Sequence, residues 1–139
     1  MVILDTNVIS ELMSEVPNAA VLDWSKRQRP ESSVTTAINY WELWSGIEIL
    51  VASKRRSKMQ SQLEWVIRDV LGNRVLDFDR NAAIEASRWY VQRRRQGRPI
   101  DGADTQIAGI AMSRRIPVAT CNLDDFEGLP VKLINPWGE

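Results

Sequence analysis

The chain has no histidine, and this absence removes more chemistry than any residue present adds. Without an imidazole there is no Ser-His-Asp or Cys-His nucleophilic machinery, no paired-histidine ribonuclease mechanism and none of the imidazole sites usual for zinc, copper or iron. The single cysteine, Cys121, cannot form an internal disulfide or a thiolate zinc cage, in keeping with a reducing compartment. No apolar stretch approaches the roughly 18 residues that cross a bilayer, and the N-terminus lacks the basic segment and cleavage site of a signal peptide. A cytoplasmic location without membrane contact is therefore expected. Net charge is zero, from 18 basic and 18 acidic residues, so no whole-molecule attraction to a polyanion is expected. If the chain is an enzyme, carboxylates or lysine must carry the chemistry, and any metal should be a hard one such as Mg²⁺ or Mn²⁺.

What is present fits one domain spanning residues 1–139: 44% of the residues are hydrophobic and 26% charged, enough for a real core at this length. Short apolar, β-branched runs occur at Val2-Leu4, Val34-Ile38, Val75-Phe78, Val118-Thr120 and Val131-Ile134. Between them lie stretches with helical spacing, roughly Val8-Met13, Asn18-Arg27, Tyr40-Ala52, Arg56-Leu71, Arg80-Arg95 and Gly102-Arg114. This alternation predicts an α/β fold, a parallel sheet of about five strands covered by helices. Met59, Leu63, Val66 and Val70 share one helical stripe, most simply a core face. Pro17, Pro30, Gly72-Asn73, Gly97-Arg98-Pro99 and Gly128 punctuate the elements, with neither a linker nor a repeat.

The acids have a pattern of their own. Asp5 closes the first apolar run, where a strand end in an open α/β fold faces the ligand crevice, although an Asp there also caps the next helix. Asn39 is read as opening a helix, with Glu42 three residues later at capping-box spacing. Asp101-Gly102-Ala103-Asp104 places Asp104 in a first helical turn, where the dipole welcomes negative charge. Asn122 and Asp124-Asp125 follow the fourth strand in an acidic turn. Capping explains each acid singly, yet a parallel sheet brings all of them to one edge. Like charges that close raise one another's pKa and oppose folding unless a cation lies between them.

The residues resemble a known family. Val2-Ile3-Leu4-Asp5-Thr6-Asn7, Glu42-Leu43 with Gly46, Ala103-Asp104-Thr105-Gln106-Ile107-Ala108, and Val118-Ala119-Thr120-Cys121-Asn122 through Asp125-Phe126 resemble, in order, the motifs of a PIN domain. The likeness is to VapC-type toxins of toxin–antitoxin pairs, and the ending Ile134-Asn135-Pro136-Trp137 is similar to their FitB-like branch. The resemblance implies a three-layer α/β/α fold and Mg²⁺- or Mn²⁺-dependent endoribonuclease activity on RNA. It also implies inhibition by a cognate VapB-type antitoxin, contact with DNA only through that antitoxin, and a homodimer. By the same resemblance Asp5 and Asp104 are metal ligands, and Glu42 completes the acidic cluster. Asn122 stands where many relatives have Asp, which makes Asp125 the nearest substitute. Thr6, Asn7 and Thr120 are supporting neighbours, the two hydroxyls orienting a ligand or water.

Basic clusters occur at Lys54-Arg55-Arg56 with Lys58, Arg93-Arg94-Arg95 with Arg98, and Arg114-Arg115. They suit phosphate contacts, but such runs are more often solvated faces or complements to a helix dipole. Six tryptophans are many for this length and are expected mostly as core or interface anchors, with Trp41 or Trp44 a candidate for a partner surface. A phosphoacceptor receiver domain would need further acids by the first strand, and a haloacid-dehalogenase-type phosphatase would need an acid where Asn7 stands. The stronger rival is a noncatalytic module of this fold that binds nucleic acid or a partner chain, with the acids serving only as caps.

Overall fold

The N-terminal apolar run forms β1 (Val2–Leu4), buried throughout and central in a five-stranded sheet in the computed structural model, which describes residues 1–138. It is followed by α1 (Thr6–Met13), α2 (Ala19–Arg27), β2 (Ser33–Thr36), α3 (Ala37–Glu48) and α4 (Lys54–Trp65). The last turn of α4 widens into a π-helical segment, Val66–Val70. Then come β3 (Val75–Leu76), α5 (Arg80–Arg95), α6 (Gly102–Arg114), β4 (Val118–Ala119), a 3₁₀ turn (Leu123–Phe126) and β5 (Leu133–Ile134). The strand order is β3-β2-β1-β4-β5, with every pairing parallel.

The alternation of side chains along a strand builds the three layers. Val2 and Leu4 pack on one face with Val8, Ile9 and Leu12 of α1, Val21 of α2, Leu43 and Ile47 of α3 and Leu63 of α4. Ile3 points to the other face and joins Val34 and Val118 against Ala82 of α5 and Ile110 and Ala111 of α6. The expected stripe on α4 is borne out: Leu63 and Val66 are buried, and Met59 and Val70 pack against the same cluster. Trp24, Trp44 and Trp137 also rest on it, whereas Trp41 is 64% exposed. Among the described residues no helix is long and apolar enough to cross a membrane.

Two packing details fix where the site falls. α5 and α6 cross so closely at Gly109 that a Cβ there would lie 2.5 Å from the Ala82 carbonyl oxygen, so a bare backbone is required. The chain runs outward from β1 to β2 and β3, then crosses back to place β4 and β5 on the other side of β1. The reversal opens a crevice beyond the carboxyl ends of β1 and β4, the usual ligand position in open α/β sheets.

Several expected boundaries shift. α3 begins at Ala37, because Thr36 ends β2 in extended conformation and caps the helix itself, its Oγ1 accepting from the Asn39 backbone N–H at 3.2 Å. The Asn39-Glu42 capping box is therefore absent. The fifth strand starts at Leu133 rather than Val131, whose backbone N–H is taken by the local Leu129 carbonyl at 2.8 Å. α4 begins at Lys54 because Ser53 caps it, accepting from Arg56 N–H at 3.2 Å.

Candidate active site

Asp5 sits directly beyond β1 and is only 3% exposed. The simple reading of this residue is correct as far as it goes, since Asp5 is the N-cap of α1 and its Oδ1 accepts from Thr6 N–H at 2.9 Å. Capping, however, uses a single acceptor. Oδ1 also accepts from Asn39 Nδ2 at 2.8 Å, while Oδ2 accepts from Thr120 Oγ1 at 2.8 Å and from Asn7 Nδ2 at 3.3 Å. Two donors on each oxygen hold the carboxylate in one orientation at the switch point.

The surrounding network ties three strand ends together. Thr6 Oγ1 donates to Glu42 Oε1 at 2.8 Å and accepts from Asn39 Nδ2 at 3.0 Å. Asn39 is fully buried on α3, and its Oδ1 accepts from Thr36 Oγ1 at 2.7 Å. On the β4 side, Asn7 Nδ2 donates to Thr120 Oγ1 at 3.0 Å and Asn7 Oδ1 accepts from Cys121 N–H at 3.1 Å. Thr120 Oγ1 also accepts from Asn122 N–H at 3.0 Å. Thr6, Asn7 and Thr120 thus each hydrogen-bond directly to Asp5 or Glu42.

Electrostatics brings in the remaining acids. Asp104, half-buried in the first turn of α6, has its pKa pushed from 3.8 to about 7, first by burial and then by the charges of Asp5, Asp125, Asp101 and Glu42. Burial also raises Glu42, as do Asp5 and Asp101, against the opposing hydrogen bond from Thr6. Four carboxylates thus bear on Asp104, and two of them, Asp5 and Asp101, bear on Glu42 as well. Asp101, which the sequence suggested only as part of a cap motif, is both the N-cap of α6, with Oδ2 3.0 Å from Ala103 N–H, and a member of this group.

Asp125, on the 3₁₀ turn after β4, supplies the second of the four charges felt by Asp104. Asn122 is exposed and has a side-chain contact with Cys121 Sγ at 3.7 Å. Both border a cleft of about 350 Å³, lined also by Cys121, Leu123, Asp124 and Asn135. Asn39 was missed as a site residue, although a signal existed: it lies one turn before Glu42 on the same helix face.

The donor set is made of hard oxygens. Among the described residues no three Asp, Glu, Cys or His side chains stand so as to hold a metal ion by themselves. The acids are near enough to repel one another, but they do not form a complete coordination sphere. That combination fits a hydrated divalent ion, because Mg²⁺ keeps several waters and takes only one or two carboxylates from the protein. It does not fit zinc, which favours sulfur and imidazole.

The basic clusters do not form one phosphate-facing stripe. Arg93 is buried, Arg56 pairs with Glu48 at 2.9 Å, Lys58 pairs with Glu15, Arg98 with Glu127 at 3.3 Å and Arg114 with Asp79 at 3.8 Å.

A PIN domain profile matches residues 2–131. The chain is 39% identical over 137 residues to VapC ribonuclease Y4jK of Sinorhizobium fredii, covering 99% of this chain and 98% of that protein. It is 32% identical over 137 residues to toxin FitB of Neisseria gonorrhoeae, covering 99% of each. The crystal structure of FitAcB from Neisseria gonorrhoeae matches with a TM-score of 0.88 and 32% identity, over 99% of both chains.

Proposed function

The chain belongs to the PIN domain family, and on that footing we propose that it is the toxin of a toxin–antitoxin pair and a metal-dependent endoribonuclease. The observation that carries the nuclease reading is Asp104, a carboxylate pushed to about 7 by burial and four neighbouring acids. Protonation or a bound cation relieves such a conflict, and perturbed groups of this kind concentrate at functional sites. Support for a ribonuclease and a toxin comes from the relatives that carry those names.

In this reading Asp5 and Asp104 hold Mg²⁺, or Mn²⁺ in its place, while Glu42 and Asp125 complete the acidic cluster. Bound Mg²⁺ supplies Lewis-acid stabilisation of phosphate charge and lowers the pKa of water. The chain's own residues do the positioning. Asn7, Asn39 and Thr120 keep Asp5 aimed into the crevice, and Thr6 holds Glu42 beside it. Glu42, with its raised pKa, is placed to receive a proton from the attacking water, as a general base works best near its operating pH. Water adds to phosphorus, the ester P–O bond breaks, and the departing oxygen takes up a proton.

The proposed partners are RNA as substrate and a cognate VapB-type antitoxin that restrains the toxin, with DNA reached only through the antitoxin. Work in the cytoplasm as a homodimer completes the reading. Tyr40, Trp41, Ile49, Val51 and Trp65 expose apolar surface on or next to α3 and α4, which suits a protein partner.

The test is cleavage of labelled RNAs, tRNAs included, by the purified chain with Mg²⁺ or Mn²⁺, against EDTA and Asp5→Asn. Cutting lost in both controls supports the proposal. Cutting that survives Asp5→Asn removes Asp5 from the site, and no metal effect on either cleavage or melting favours the noncatalytic binding module.

A further inference from the structure

Arg93 is the one buried cation among the described residues, 7% exposed in the last turn of α5. The outermost turn of a helix usually presents its arginines to solvent, and its neighbours Arg94 and Arg95 are exposed. Burying a guanidinium is costly unless its N–H groups are met. Those of Arg93 meet backbone oxygens rather than a carboxylate. Nε donates to the Arg98 carbonyl at 2.8 Å and Nη1 donates to the Glu127 carbonyl at 2.7 Å.

These two carbonyls belong to the two segments that deliver acids to the crevice. Arg98 lies in the connection from α5 to α6, three residues before Asp101, the N-cap that precedes Asp104. Glu127 directly follows the 3₁₀ turn that carries Asp125. Ile100 from the first segment and Phe126 and Leu129 from the second share an apolar cluster with Ile107 and Ala108 of α6. The guanidinium therefore bridges the segments at their outer end, and the apolar cluster joins them beneath. An exposed pair, Arg98 Nη2 to Glu127 Oε2 at 3.3 Å, spans the same gap in solvent.

We propose that Arg93 is a positioning residue of the nuclease site, a planar clamp that sets the spacing between Asp104 and Asp125. The proposal rests on the nuclease reading above. The position suits a guanidinium, whose rigid planar group reaches both carbonyls with separate N–H donors, whereas an ammonium offers a point charge on a flexible stem. This also accounts for Arg93 within a basic run, since it faces inward while Arg94 lies over the Tyr90 ring at 5.5 Å from its centroid.

The experiment compares wild type, Arg93→Lys and Glu127→Gln by Mn²⁺ calorimetry and by steady-state RNA cleavage. Loss of a direct hydrogen-bond partner of a metal ligand typically costs 10- to 100-fold, and Arg93 acts one step farther out, through the backbone, so Arg93→Lys should fall at the low end: Mn²⁺ binding weakened about tenfold and kcat lowered about tenfold, with KM for RNA within about twofold. Glu127→Gln, which breaks only the exposed pair, should bind Mn²⁺ as wild type does. In an Asp125→Asn background, Arg93→Lys should cost little more, because both changes act through the same turn. Unchanged Mn²⁺ affinity in Arg93→Lys, or the full tenfold loss added to that of Asp125→Asn, would overturn the clamp. If Arg93→Lys does not fold, Arg93→Gln, which keeps one donor without the buried charge, is read in the same way. A wild-type chain that neither binds Mn²⁺ nor cuts RNA overturns the nuclease reading itself. Wild-type binding and cutting matched by both Arg93 variants overturns the clamp alone.

Discussion

Replacing Asp104 with Asn should stabilise the metal-free protein at neutral pH and reverse that gain when metal is present. The folded-state pKa of Asp104, about 7, lies above its ordinary value of 3.8. A raised carboxyl binds its proton more tightly in the native state, so its contribution is fully present below about pH 4 and is lost as pH rises through about 7. Some three pKa units at 1.36 kcal/mol each would be about 4 kcal/mol. Asp104 is only half-buried, so solvent screening leaves about 1–2 kcal/mol of that. Asparagine cannot ionise and escapes this penalty, which corresponds to a Tm about 3–6 °C above wild type at pH 8 for a domain near this size. The assay is thermal melting from pH 4 to pH 8 in EDTA, then at pH 8 with Mg²⁺. The gap should be absent at pH 4, open between pH 4 and 7, and level off above. With Mg²⁺ at about 100 times its Kd, wild type should gain about 2.7 kcal/mol and the variant much less. A gap that is constant with pH, or a variant less stable than wild type at pH 8 in EDTA, would refute the placement of Asp104 among like charges.

Asn39→Ala should destabilise the fold by about 2–3 kcal/mol, because it strips a donor from the buried Asp5 carboxylate and leaves Thr36 Oγ1 without its acceptor; urea denaturation checks this. Thr6→Val removes the hydrogen bond that holds Glu42 down, so the Glu42 pKa should rise further and the acidic limb of the cleavage pH profile should move to higher pH. An unmoved limb would mean that Glu42 does not control that ionisation. Gly109→Ala forces a Cβ against the Ala82 carbonyl oxygen and should cost about 1–3 kcal/mol of stability, measurable by thermal melting.

The local patterns legible in the chain were those that depend on near neighbours. Each of the five apolar runs, at Val2, Val34, Val75, Val118 and Val131, contains a strand, though Ala37 and Ile38 joined α3 and Val131 stayed outside β5, and the helical periodicities became helices, because burial of one face follows from spacing. Asp5 as the end of β1 was legible for the same reason. The start of α3 was not, because Thr36, Asn39 and Glu42 are all plausible at a helix start. Asn39 went instead to a carboxylate 34 residues away in sequence, a demand that no local pattern records. Whether Asp125 bears on Asp104 could not be read from the sequence, since only the path of its turn past α6 decides whether Asp104 feels that charge.

The sequence by itself determined the fold class, the family, the absence of imidazole chemistry and the set of acids available to the crevice. These follow from composition, periodicity and motif order, none of which needs a contact between distant residues. Tertiary structure alone decided that the Asp5 carboxylate carries four donors, that Asp101 joins the charge cluster, and that Arg93 turns inward while its neighbours face solvent. The physical reason is common to all three. Desolvation, like-charge repulsion and hydrogen-bond satisfaction depend on distances across strand ends, and those distances arise only when the chain crosses back to lay β4 beside β1.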